Sequence, residues 1–480
     1  KKAAATLSGR LSNAQKRGLK IIADRILSYG EKTRLGELLA EQVLSGAGFH
    51  HAGLAAVHRR IVEDSFRAGH LKILAATPTL AAGVNLPARA VVISSYERYE
   101  PGYGRYPISV LEYKQYSGRA GRPRYDSFGE AILIAKTADE QEYLMENYVC
   151  AEPEKIWSKL SVEKVLRPHV LSTIATGFAH TEEGLYDFFS RTFHAQQYDL
   201  KTLRSKVGRI LEFLVKQEMV EMESNKVAAT RFGKRVSELY IDPLSAVIIR
   251  DGLYNRPSRL TELSLLQLIA HTPDITPRPY PRGRESERLS IYAEEHAEEL
   301  VFKRPEPWSE MLSYEQDYDD FLSELKCVAV LEDWIRETSE DEILNNHKVE
   351  PGDLLRLTQT SEWLMYATEE LARLFQHKDL LKPVKQLRTR IQSGVKEELV
   401  ELVQLEGIGR IRARMLYNSG FHTIADLKRA SLSALTAVPT IGTAVAKKIK
   451  DQVGGKLKAE EWEALKRGEM FDEQKLMTEY

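Results

Sequence analysis

Two cysteines, Cys150 and Cys327, are all that 480 residues carry. They stand far apart with no Cys/His cluster around either. That excludes a disulfide scaffold and a zinc finger, leaves no metal ligand set, and fits a reducing cytoplasm. No apolar run approaches the roughly 20 residues a membrane-spanning helix needs, and no signal-peptide pattern opens the chain, so no membrane is expected among its partners. Neither sign of charge prevails, with Lys+Arg at 68 against Asp+Glu at 69. Net charge therefore gives no sign of nucleic-acid binding, and any basic surface must be local. An initiator Met is absent as well; the chain enters on Lys-Lys-Ala-Ala-Ala and a helical pattern. Two phosphate-handling motifs are missing, the GxxxxGK[ST] loop and a DExH tetrapeptide. The nearest look-alikes, at 341–344 and 454–456, lack the required neighbours. Without a loop to cradle β/γ-phosphates and an acidic partner for Mg²⁺, the chain by itself is not expected to hydrolyse ATP.

What is present begins with QYSGRAGRPR at 115–124. Arg119 and Arg122 sit between glycines, just before the apolar run 131–135. Guanidinium groups are planar, always charged and suited to bidentate phosphate contacts. Such a pair can neutralise charge on a transferred phosphoryl group, and a bare basic surface turn would read the same way in isolation. Upstream lies ATPTLAAGVNLPAR at 76–89, following the apolar run 71–75, and before it HHAGL at 50–54. Short apolar runs at 71–75, 90–94 and 131–135, separated by helices or loops, predict a parallel sheet. Ligands of such sheets gather at the carboxyl ends of the strands.

In this order the three segments resemble motifs of superfamily 2 helicases, in the wording of the Ski-like group. More narrowly they are similar to the archaeal Hjm-type DNA repair helicases, relatives of the helicase half of DNA polymerase theta. The resemblance implies a C-terminal portion of such an enzyme: a multidomain α/β plus α fold with a partial second RecA-like lobe, a winged helix, a helical ratchet bundle and a helix-hairpin-helix domain. The lobe that precedes these in the family would be the first partner, and would hold most of the ATP and Mg²⁺. Arg119 and Arg122 would act on that ATP, with Gln115, Gly118, Gly83 and Asn85 in contact with it. Thr77 and Thr79 could offer hydroxyl and N–H groups to a nucleic-acid phosphate, and His51 would contact the backbone of a single strand.

The domains are expected at 1–150, 151–245, 246–395 and 396–455, with a charged tail at 456–480. Between the arginine motif and its upstream partner, YERYEPGYGRYPISVLEY at 96–113 turns at Pro101-Gly102 and predicts a β-hairpin. By resemblance it is a wedge, with Tyr99 and Tyr103 able to stack on an opening base pair; tyrosines covering neighbouring surface are the other reading. Helices followed by two alternating strands around Ser224-Asn225 suggest the winged helix, serving as a packing joint. In the helix that starts at Pro351, Arg356 and Trp363 lie two turns apart and project from one face. By resemblance they grip and stack on a single strand; a buried Trp and an ion-paired Arg would give the same spacing.

Two hairpins of similar wording close the folded part. Gly407 and Gly409 precede Arg410, Arg412 and Arg414, and Gly442 precedes Lys447, Lys448 and Lys450. Glycines at such helix starts expose N–H groups to phosphate. Eight Lys/Arg stand against two acidic residues between 404 and 450, so salt-sensitive, sequence-independent DNA affinity should concentrate there. The end of the tail, 474–480, faintly resembles a sliding-clamp peptide. A sliding clamp or single-strand-binding protein is a candidate partner, beside single-stranded and forked DNA, for a monomer moving 3′ to 5′. The competing readings are an ATPase-less structure-specific DNA-binding module and a Ski-like RNA helicase.

Overall fold

The computed structural model describes residues 11–28, 33–77, 88–100, 104–121, 126–305 and 314–454, with Thr6, Leu7, Gly9 and Leu86 besides. Thr79, Gly83, Asn85, Tyr103, Arg122, the side chain of Tyr99 and the tail 455–480 lie outside what is described. The chain divides into two compact units, Lys1–Ser158 and Lys159–Tyr480.

In the first unit, helices Asn13–Ser28 and Arg34–Leu44 bury one apolar stripe each, through Leu19, Ile22, Ile26, Leu39 and Val43. Strand Ala47–His50 runs parallel to Ile73–Ala76, with His50 opposite Ala76, and helix Ala56–Arg67 makes the crossover. A second parallel pair joins Ala90–Ile93 to Glu130–Leu133. The α/β expectation thus holds for element type, but not for cover. Val92 and Ile132 pair in register and, with Ile134, remain exposed. Parallel strands are ordinarily apolar on both faces because helices cover both. Among the described residues no layer covers this face. Along the chain between the two strands of this second pair, Glu97–Glu100 and Gly104–Pro107 form the expected antiparallel hairpin.

In the second unit, helices Glu163–Ala175, Glu182–Ser190 and Leu200–Lys216 precede the antiparallel ribbon Val220–Glu223 with Lys226–Ala229. Ser224 and Asn225, both at positive φ, make its two-residue turn. This winged-helix arrangement is not a separate body. Its core runs without a break from Leu166 into the helices that follow, as far as Ile391. The expected boundary at 245/246 falls inside helix Pro243–Tyr254, whose Ala246, Ile249 and Leu253 belong to that shared core. Helix Arg231–Leu239 lies antiparallel on the long helix Pro351–Leu374. Phe232 meets Phe375, Arg235 pairs with Glu370, and the Leu239 carbonyl receives the indole N–H of Trp363. The last domain has its own core, from Val395 to Val453.

Candidate functional site

The arginine motif is built on helix Val110–Ser117. Ser109 caps it, accepting from Glu112 N while the Glu112 carboxylate returns to Ser109 N at 3.0 Å. A second carboxylate, Glu154, accepts from Val110 N at 2.5 Å and Leu111 N at 2.9 Å. Burial alone would raise the Glu154 carboxyl, and these two backbone donors outweigh it and hold it low. Two negative groups thus anchor the positive end of a short helix. Gln115 is exposed on its last turn, and Gly118 ends it.

Beyond the helix the backbone turns against the upstream motif. Ala88 N donates to Arg119 O at 3.0 Å, and Gly121 N donates to Ala88 O at 2.7 Å. The close approach needs Gly129, because a Cβ there would stand 2.3 Å from Gly121 N and 2.4 Å from the Ala120 carbonyl carbon. The two motifs are therefore joined by main chain, at the entry to the parallel strands Ala90–Ile93 and Glu130–Leu133. On the other strand pair, Thr77 N donates to His50 O at 3.2 Å, setting the start of the upstream motif beside the His pair. His50 is a core residue, buried, with Nε2 2.8 Å from Glu63 Oε1. His51 accepts from Gly53 N at Nδ1 and stacks on Phe49. That acceptance assigns the neutral ring's proton to Nε2, a donor suited to phosphate.

The hairpin is tied to the same helix. Arg98 donates to Glu112 at 2.5 Å and lies over the Tyr106 ring, so the Glu112 carboxylate both caps the helix and holds a hairpin strand. Glu112, Arg98, Glu154 and Gly129 were not singled out from the sequence. The Ser-x-x-Glu spacing at 109–112 was the available signal for the first; the other three act through neighbours that only the fold supplies.

In the second unit, Trp363 is half-buried and its N–H is spent on Leu239 O at 3.1 Å. Arg356, 35 % exposed, lies 3.5 Å from Asp353 one turn back. The ring therefore has a packing role, and the guanidinium remains within reach of solvent.

The terminal domain departs further from expectation. Arg410, 9 % exposed, lies over Trp334 and donates to Thr338 O. Arg414 donates twice to Glu337, at 2.6 and 2.8 Å, and once to Glu398. The Glu337 carboxylate raises the Arg414 pKa further, burial opposes this, and Glu398 adds to the rise. Lys450 is 4 % exposed and caps the carbonyls of Leu427 and Lys428. These three cations are structural: they fasten the domain to the turn at 336–338 or close its own core.

Arg412 braces one hairpin on the other through Gly407 O and Thr440 O. Lys428, Arg429 and Lys448 are exposed and Lys447 half-buried. Gly409 and Gly442 occupy matching helix starts with open space about them. Gly407 and Thr440 both adopt positive φ, at 82° and 71°, so the two hairpins repeat one backbone shape. Among the described residues no three His, Cys, Asp or Glu side chains converge as a metal site. No helix among them is long and apolar enough to cross a membrane.

Four family models match in succession. They are the helicase conserved C-terminal domain over 19–124, a helix-turn-helix domain over 129–221, the archaeal helicase domain 4 over 263–394, and a SAM-like helix-hairpin-helix tandem over 399–454. The ATP-dependent DNA helicase Hel308 of Methanocella arvoryzae is 43% identical over 95% of this chain and 61% of its own length. The proteins of the same name from Caldivirga maquilingensis and Pyrococcus horikoshii are 40% and 37% identical, over 90% and 93% of this chain and 58% and 61% of their own lengths. The chain thus spans about three fifths of these relatives. With four matches in order and the two motifs paired by main chain, the chain is similar to the Hel308 helicases over nearly its whole length.

Proposed function

We propose that this chain is the part of an ATP-dependent 3′ to 5′ DNA helicase that completes the nucleotide site and carries the DNA-gripping domains, acting at forked or branched DNA in repair. The main-chain pairing of Ala88 with Arg119 and Gly121 supports the reading, since it fixes the arginine motif against the last residues of the upstream motif. Arg119, Arg122 and Gln115 are donors, as a polyphosphate requires; Gly118, Gly83 and Asn85 would contact the same nucleotide. Bound ATP would supply the driving reaction, with Mg²⁺ held by its phosphates and by groups outside the described residues. Thr77, Thr79 and His51 would touch the strand's phosphates. The hairpin, with Tyr99 and Tyr103, would part the duplex, and Arg356 with Trp363 would hold the tracking strand. Gly407, Gly409, Arg412, Lys447 and Lys448 would hold backbone phosphates at the terminal domain, where exposed cations remain after Arg410, Arg414 and Lys450 are set aside.

The test joins the remaining part of the Methanocella arvoryzae relative ahead of this chain and measures hydrolysis with and without single-stranded DNA. The joined protein is expected to be DNA-stimulated, and Arg119→Ala or Arg122→Ala to lower turnover by roughly a thousandfold or more. DNA binding without hydrolysis in the joined protein would instead make the chain a binding module.

A further inference from the structure

Tyr240 ends helix Arg231–Leu239 in the left-handed conformation, at φ 59° and ψ 15°. It is 84 % exposed, more than any other large apolar side chain among the described residues. A bulky side chain is a true outlier there, and glycine is the usual residue at such a helix end. Backbone strain of this kind persists when surrounding structure or function requires it. Here the ring gains almost no packing that would offset the strain. Its surroundings point to a ligand instead. The contacts Phe232–Phe375, Arg235–Glu370 and Leu239–Trp363 run antiparallel along the long helix. Tyr240 directly follows Leu239, whose carbonyl receives the indole N–H of Trp363.

We propose that Tyr240 is a base-stacking residue for single-stranded DNA, forming one surface with Trp363 and Arg356. This rests on the reading of helix Pro351–Leu374 as the strand-holding element. Every base offers a π-face, so an exposed phenol ring beside a guanidinium binds a strand without sequence preference. Tyrosine in place of glycine then trades helix-end stability for a contact.

The experiment measures the affinity of the full chain for a fluorescent short oligothymidine by anisotropy, together with melting temperature. Tyr240→Gly is expected to melt higher, from relief of the left-handed strain, and to bind roughly five- to a hundredfold more weakly. Tyr240→Phe, which keeps the ring, is expected to bind like the parent. Unchanged affinity in Tyr240→Gly overturns the proposal, and leaves Tyr240 as a surface for a protein partner. Weaker binding accompanied by a lower melting temperature also overturns it, since that outcome marks a structural role. Arg356→Ala in the same assay separates the two readings. If it weakens binding while Tyr240→Gly does not, only the tyrosine is wrongly assigned; if neither changes, the strand-holding reading of the helix fails with it.

Discussion

At Gly129 the missing Cβ is what lets the arginine motif sit where it does. Alanine there would place a carbon inside the van der Waals shell of Gly121 N and the Ala120 carbonyl, both main chain and unable to swing aside. We expect Gly129→Ala to lower the melting temperature, with an overpacking cost of about 1–3 kcal/mol, and to abolish hydrolysis in the joined helicase. A duplicated position offers a cleaner comparison. Gly407 and Thr440 share the left-handed conformation, but only the first has the residue suited to it. Gly407→Ala should cost about 1–2 kcal/mol in chemical denaturation and Thr440→Gly should gain a similar amount. Opposite signs from equivalent positions would show that the backbone shape, not the side chain, is what the two hairpins have in common.

Elements are joined here through carboxylates with two duties. Glu112 caps helix Val110–Ser117 with one oxygen and holds Arg98 of the hairpin with the other. Arg98→Ala leaves the cap intact and releases the strand. In the joined helicase it should reduce duplex unwinding while single-strand-stimulated hydrolysis continues, read by a forked-duplex assay beside phosphate release. Equal loss of both activities would place Arg98 in the nucleotide site and not in the wedge. The hairpin's tip and the second arginine lie outside the described residues, so the ion pair is the handle the fold offers on this connection.

On the scale of the whole second unit, the last domain is bolted to the helical body and is not suspended from a linker. Glu337 receives Arg414 on both oxygens and Lys396 N at 3.0 Å, and Trp334 lies under Arg410. Glu398 completes the cluster. Burial, the largest influence, would raise its carboxyl, but the hydrogen bond and charge of Arg414, a backbone hydrogen bond and Lys396 together hold it below the ordinary 4.5. A carboxylate with a lower pKa folded than unfolded contributes stability above the ordinary value, and loses it as pH falls through the folded one. The joint should therefore loosen on acidification below about pH 4.5. Calorimetry of Glu337→Ala at neutral pH is expected to show the terminal domain melting ahead of the rest, and Glu398→Gln to flatten the acid dependence of that transition.

Local pattern was enough to reveal the resemblance to Hel308-type helicases, the parallel strands, the hairpin and the tandem helix-hairpin-helix. Periodicity, turn residues and contiguous motifs are properties of neighbouring residues, and they survive without a fold. The use of each charge does not. Arg410, Arg412 and Arg414 read alike along the chain, yet two of them are fastened to residues at 334–338, over seventy positions away. Trp363 likewise finds its hydrogen-bond partner 124 residues upstream. A cation's role depends on which carboxylate or ring is close enough to hold it, and tertiary packing alone sets that distance. The sequence determined which charged and aromatic groups this protein carries; the tertiary structure decided which of them are spent on holding it together.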